Sequence, residues 1–267
     1  MRRLALLLAI LAVIAVGLVL AWSTLRQGDA DGDGERTGQT VPVGAFRNVE
    51  VSGHADVVLV QGEAEAIDVE ASPKRHARVR VRAQGGTVKI TVGEDAPWWS
   101  GLSGGSSRPP RLTVRFRELE SIAIAGAVRL SGDGVKATRL AVRASGAAAV
   151  RLDDLDAGSL RFSGSGAVKA EVSGRATGQE VSISGAGTYR APRLVSESAE
   201  IKVSGAGRVV VNASRSLDAA ISGAGAIDYH GSPQVRQRIS GAGRIRQVSE
   251  AVAPARVAVA ATGAVTR

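Results

Sequence analysis

The sequence predicts an all-β protein, a single-stranded β-helix (β-solenoid) of stacked coils of about 18–21 residues, preceded by an N-terminal hydrophobic helix. Three observations carry this expectation. A glycine-centred motif recurs at near-constant spacing, apolar residues alternate around it, and the composition leaves almost no large side chains for a core. With 3% aromatics, a single Met and 33 Gly in 267 residues, the interior has to be built from Val, Ile, Leu and Ala. Such small and β-branched side chains suit a narrow space between facing strands.

In chain order, Arg2 and Arg3 precede an uncharged apolar run from Leu4 to Trp22. As a helix this run reaches ~28 Å, near the hydrocarbon thickness of a bilayer. The flanking arginines place the N-terminus inside and everything after it outside. Two readings stand for residues 1–26. The segment is a single-pass signal anchor with Trp22 at the interface, or a signal peptide cut after Ala21, with Val19 and Ala21 at the small-residue positions. Both export the remainder to the cell envelope (periplasm or cell surface), and both make the membrane a partner through this segment. Residues 27–44 read as a flexible linker rich in Gly, Asp and Thr. Asp29, Asp31, Asp33 and Gly34 imitate the start of a calcium loop, but Thr40 stands where the bidentate Glu is required.

The solenoid is expected over residues 45–248. Its markers are Gly126, Gly146, Gly164, Gly185, Gly205, Gly223 and Gly241, at intervals of 20, 18, 21, 20, 18 and 18 residues, each preceded by Ala or Ser. Two residues before them stand Ile124, Ala144, Phe162, Ile183, Val203, Ile221 and Ile239; four residues after them stand Leu130, Val150, Val168, Tyr189, Val209, Ile227 and Ile245. Apolar pairs such as Val181/Ile183 and Ile201/Val203 recur in steps of two, which is strand periodicity. Each copy is thus a strand, a glycine corner and another strand. So small a unit cannot bury its own apolar face, and stacking buries it against the next. Corners demand positive φ or leave no room for Cβ, and glycine meets both demands. An earlier marker at Gly53 has the same surroundings, Val49, Val51 and Val57, so residues 45–120 read as less regular N-terminal coils that also cap the stack, with strands near 56–61, 66–71, 77–83 and 87–92. Between them, residues 94–110 form a loop containing Trp98 and Trp99, a candidate surface contact for carbohydrate or lipid headgroups or else a cover for the open core. Residues 249–267 form an Ala- and Val-rich C-terminal tail.

Chemistry is mostly excluded. There is no Cys, hence no disulfide, thiolate or zinc–thiolate site, and His54, His76 and His230 are scattered. The repeated Ser before the marker is not a nucleophile, because catalysis needs one special Ser beside a base. Gly-x-Gly without a following helix has no aligned amides for phosphate. No catalytic residue, metal site, cofactor or nucleic-acid partner is therefore expected. The one carboxylate cluster is Asp153, Asp154 and Asp156, the best candidates if the solenoid cleaved polysaccharide. The net charge of +9 favours anionic partners. Five residues after successive markers stand Arg151, Lys169 and Arg190, a candidate anionic-ligand face; Arg129, Arg208 and Arg244 recur at the third position. A solvated face is the alternative.

Three motifs also carry a resemblance. Phe46-Arg47-Asn48-Val49-Glu50-Val51-Ser52-Gly53, Val57-Val58-Leu59-Val60-Gln61-Gly62 and the recurrent Ser-Gly-Ala-Gly resemble exported bacterial proteins with a head GIN domain, often labelled autotransporter adhesins. The resemblance covers roughly residues 45–248. It implies a single-stranded β-helix and a role at the cell envelope, and it brings no catalytic residues. No C-terminal stretch has the alternating segments of a membrane barrel, so a complete autotransporter is not expected. The function expected is a non-catalytic envelope module for binding, adhesion or structure, facing envelope polysaccharide, lipopolysaccharide or lipid. The alternatives are a scaffold that self-assembles as a homo-oligomer through the solenoid ends and a polysaccharide-cleaving enzyme.

Overall fold

A computed structural model describes residues 37–71, 78–93 and 109–248. The N-terminal hydrophobic segment, most of the linker, Trp98, Trp99 and the C-terminal tail lie outside these residues. Every regular element among the described residues is a strand, and they join in one 15-stranded sheet that coils on itself.

The regular stack begins with β7 (Ser121–Asp133) and continues through β8 (Lys136–Gly146), β9 (Ala149–Gly166), β10 (Lys169–Gly185), β11 (Thr188–Gly205) and β12 (Arg208–Gly223) to β13 (Ala226–His230), β14 (Gln234–Ser240) and β15 (Arg244–Gln247). All pairings along this stretch are parallel. Inward residues therefore form columns along the stack. In one column Ile183 lies on Val203, Val203 on Ile221 and Ile221 on Ile239, all buried except Ile239 on the last rung. Each coil lends its apolar side to the next, as the repeat requires.

The N-terminal part departs from simple succession. Strand β2 (Asn48–Gln61) is a full coil that pairs with β7 on one side, placing Gly53 beside Gly126. Its other side is covered by two later strands, β5 (Thr87–Val92) and β6 (Arg111–Phe116). The chain runs outward past β2 and then returns to continue the stack. Beyond β5 and β6 the pairing turns antiparallel: β1 (Thr37–Pro42) on β3 (Ala66–Ala71), β3 on β6, and β4 (Val79–Gln84) on β5. These antiparallel strands close the N-terminal end against further stacking. Strand β1 falls inside the stretch read from sequence as a linker.

The glycine corners form one column, with one correction. Gly126, Gly146, Gly185, Gly205, Gly223 and Gly241 all have positive φ, but in the coil of β9 the residue in register with them is Gly166, not Gly164. Gly164 stands two residues earlier, paired with Ile183 and Ala144 at an inward position. The reason is volume. A Cβ on Gly164 would lie 3.2 Å from the Phe162 ring and 3.1 Å from Ile183 Cδ1. Phe162 fills the space of two side chains, and Gly164 gives way to it.

The second glycine of Ser-Gly-Ala-Gly has a similar task. It is not a corner with positive φ. A Cβ on Gly187 or Gly207 would lie 2.9 or 2.8 Å from Ile183 Cγ2, so these glycines leave room for the Ile/Val column.

One polar cluster interrupts the apolar interior. Gln179 is in register with Leu160 and Ala199, and its Nε2 donates to Ser196 Oγ at 2.7 Å and to the Asn212 carbonyl at 3.2 Å. Ser196 donates to the same carbonyl at 2.6 Å, and Tyr189 OH donates to Gln179 Oε1 at 3.4 Å. Three coils are thereby tied in a single register, since a slip would leave buried polar atoms unpaired. Tyr189 also packs on Phe162, with ring centroids 5.1 Å apart.

Burial pushes the Tyr189 phenol above its ordinary range. The folded state holds the proton, while the unfolded chain releases it near pH ~10. The stability linked to this group is complete below that pH and is lost progressively as pH climbs from there through the raised range of the folded state. In an alkaline titration, the phenolate absorbance of Tyr189 should appear only together with loss of the β circular dichroism signal. Full ionisation of both tyrosines with the signal intact would contradict the buried placement.

Candidate anionic-ligand face

Beyond the glycine corner the chain enters a second wall of the coil, where alternate residues point out. From Gly126 to Gly205 the third and fifth positions after the corner are exposed or half-buried, whereas after Gly223 Ala226 and Asp228 are buried; the fourth is buried, as Leu130, Val150, Ala170, Tyr189 and Val209 show. The register of this wall corrects the expected charge ladder. Arg151 is beside Glu171, and Glu171 is beside Arg190. Lys169 belongs instead to the third-position column, between Ala149 and Thr188. The corner of this coil is Gly166, two residues after Gly164, which puts Lys169 at the third position. Arg151, Lys169 and Arg190 do lie on consecutive rungs of one face, but not in one line.

The face is partly neutralised. Arg151 donates from Nε to Asp153 at 2.6 Å and approaches Glu171 at 3.9 Å. Lys169 Nζ is 3.1 Å from Glu171, and Arg129 is 3.3 Å from Asp56. These side chains are well exposed, so the pairs are weak and open to competition by a ligand. Arg111, Arg190 and Arg208 make no ion pair among the described residues. A groove of about 420 Å³ runs across this wall, with Arg111, Arg129, Arg151 and Lys169 above a floor that includes Val57, Leu130 and Val150.

The wall that precedes the corner carries a row of acids. Glu180, Glu200 and Asp218 stand in register on consecutive coils, in a groove of about 720 Å³. Each is paired: Glu180 with Arg161 at 2.7 Å, Glu200 with Lys202 at 2.6 Å, and Asp218 with Arg238 at 3.2 Å. The signal was present as an acidic residue five before the corner glycine in three successive copies.

The aspartate cluster is dispersed by its partners. Asp153 accepts from Arg151 and, at 3.3 Å, from Ser173. Asp154 occupies a left-handed corner with φ of 50°. Asp156 accepts two bonds from Arg175, at 2.9 and 2.6 Å, which hold its carboxyl below the usual range. A general acid for glycoside cleavage needs the opposite shift. Among the described residues no group of His, Asp or Glu is placed to hold a metal ion, and no helix is long and apolar enough to cross a membrane.

Residues 45–233 match the family model described as "Putative auto-transporter adhesin, head GIN domain". The chain belongs to this family. Solved structures with the same fold include a "putative adhesin" from Bacteroides fragilis, at 19% identity and a TM-score of 0.74, covering 80% of this chain and 98% of that one. A "putative lipid binding protein" from Parabacteroides distasonis aligns at 21% identity and a TM-score of 0.63, covering 82% and 99%. A "putative adhesin" from Parabacteroides merdae aligns at 18% identity and a TM-score of 0.61, covering 82% and 98%. No curated protein matches the chain. The family description agrees with an adhesin-like, envelope-associated role for this head GIN protein.

Proposed function

We propose that this head GIN protein is a non-catalytic binding module of the cell envelope, whose basic wall meets an anionic glycan outside the membrane. The observation that carries the reading is Arg111, Arg190 and Arg208, without ion partners among the described residues, on the wall that holds the grooved cations. Exposed guanidinium groups of one sign attract polyanions and form charge-assisted, often bidentate bonds with carboxylate or phosphate. The N-terminal apolar segment delivers the module across the membrane and either stays as its anchor or is removed. Mass spectrometry of the mature N-terminus in fractionated cells separates these: a terminus at Trp22 means cleavage after Ala21, an intact leader in the membrane fraction means retention.

Binding to immobilised acidic and neutral glycans over a series of salt concentrations tests the reading. Acidic glycans should be retained and released as salt rises, because the Debye length contracts from ~10 Å at 0.1 M to ~3 Å at 1 M. Equal binding of both, or binding indifferent to salt, would sink it. Retention by anionic phospholipid vesicles alone would assign the basic wall to a membrane surface instead. Self-assembly is a second reading. On the C-terminal rung Val235 and Ile239 are exposed, and β14 and β15 pair on one side only among the described residues. Sedimentation velocity should then show a mass rising with concentration; a constant monomer mass would exclude it.

A further inference from the structure

On five consecutive rungs, from β7 to β12, the basic wall carries one cation per rung, and the cation alternates between two neighbouring columns. Arg129 stands at the third position after the corner, Arg151 at the fifth, Lys169 at the third, Arg190 at the fifth and Arg208 at the third. The opposite slots of the same rungs hold Ser131, Ala149, Glu171, Thr188 and Val210, so all but one are uncharged. The row stops at an acid on both sides: Asp56 on the rung of β2 and Asp228 on that of β13.

The dimensions follow from sheet geometry. Rungs are ~4.8 Å apart, and the two columns, separated by two residues along a strand, are ~7 Å apart. Cations thus recur every ~9.6 Å within each column, and the two columns are offset by one rung. A linear ligand complementary to this pattern has one anionic group per ~4.8 Å, on alternate edges of an extended ribbon. A chain of uronic acids in a twofold ribbon has that form. One pyranose advances by about one rung, and its carboxylate points to the edge opposite that of its neighbours. We infer that the wall from Arg129 to Arg208 is a binding track for a linear polyuronate, one carboxylate to each cation. The inference rests on the anionic-glycan reading above and names the ligand class of the same wall. Arginine is suited to the task because its planar fork can hold a carboxylate by two parallel bonds. The uncharged opposite slots let the ribbon lie flat, and the acids that compete with it are Glu171 beside Arg151 and Lys169, Asp153 beside Arg151 and Asp56 beside Arg129.

Isothermal titration of the exported domain with β-linked oligomannuronates, from dimer to octamer, tests this. Affinity should climb with length up to the pentamer and then level off, since the track has five cations. The double variant A149R/R151A keeps the net charge but moves one cation across to the other column. It should weaken pentamer binding about tenfold, the equivalent of one charge-assisted contact, while leaving binding to phosphatidylglycerol vesicles unchanged. Arg190→Ser, at an exposed side chain without an ion partner among the described residues, should weaken the pentamer similarly, and Glu171→Gln should tighten it. Circular dichroism and melting of each variant verify the fold. If A149R/R151A binds the pentamer as well as the parent, or affinity ignores length, the track is overturned while the basic-face reading stands. If the parent retains neither oligomannuronate nor vesicles above a neutral glycan, both fail together.

Discussion

Replacing Gly205 with valine is expected to destabilise the solenoid by about 3 kcal/mol or more, near the upper range for a single substitution. Two causes act together. Gly205 has φ of +107°, a conformation that a β-branched residue adopts only under strain. A Cβ there would also lie 2.8 Å from the carbonyl oxygen of Gly185 on the coil beneath. Neither atom can move alone, because Gly185 and Gly223 sit in the same column on either side. A gap opened at one corner propagates along the stack, since each coil is stable only through its neighbours. Urea unfolding should show the lowered midpoint. Gly62→Ala is the control: it has no atom within 4 Å of its Cβ position and no positive φ, so it should be neutral or gain ~0.4–1 kcal/mol. Equal midpoints for both variants would refute the corner argument.

Phe162→Ala should cost about 3–5 kcal/mol, the usual loss for a buried phenyl ring. The ring is fully enclosed, packs on Tyr189 at 5.1 Å, and stands over the space that Gly164 leaves empty. The informative measurement is the cycle with Gly164→Ala. In the parent, the new methyl meets Phe162 and Ile183 at 3.2 and 3.1 Å and destabilises. Without the ring, the same methyl fills part of the cavity, so Gly164→Ala should change sign and recover stability. Additive losses in urea titrations of the two single variants and the double variant would show that Gly164 is not shaped by the ring.

Gly164 also marks where sequence reading and structure part. Ser163-Gly164-Ser165-Gly166 offers two corner glycines, each preceded by Ser, and both choices keep the alternation of inward and outward residues. Strand periodicity is two, so a shift by two residues is silent locally. The choice is made by contacts with the coils above and below, where Gly166 meets Gly146 and Gly185. The offset carries forward: counted from Gly164, Lys169 continues the line of Arg151 and Glu171 falls outside it, whereas the register puts Glu171 between Arg151 and Arg190. The acidic row of Glu180, Glu200 and Asp218 was readable from the repeat, because that part of the stack has an unambiguous corner. Its neutralisation by Arg161, Lys202 and Arg238 was not, since each partner's position depends on side-chain conformation.

By itself the sequence determined the class of fold, the coil length, the family and the buried columns outside the coil of β9, because these follow from local alternation and glycine chemistry repeated from copy to copy. Only the tertiary structure decided the coil order around β2, the antiparallel closure of the N-terminal end and the register of β9. Those features arise from pairing between segments remote in the chain, where hydrogen bonds and volume on both sides of a strand select among arrangements that its own residues permit equally.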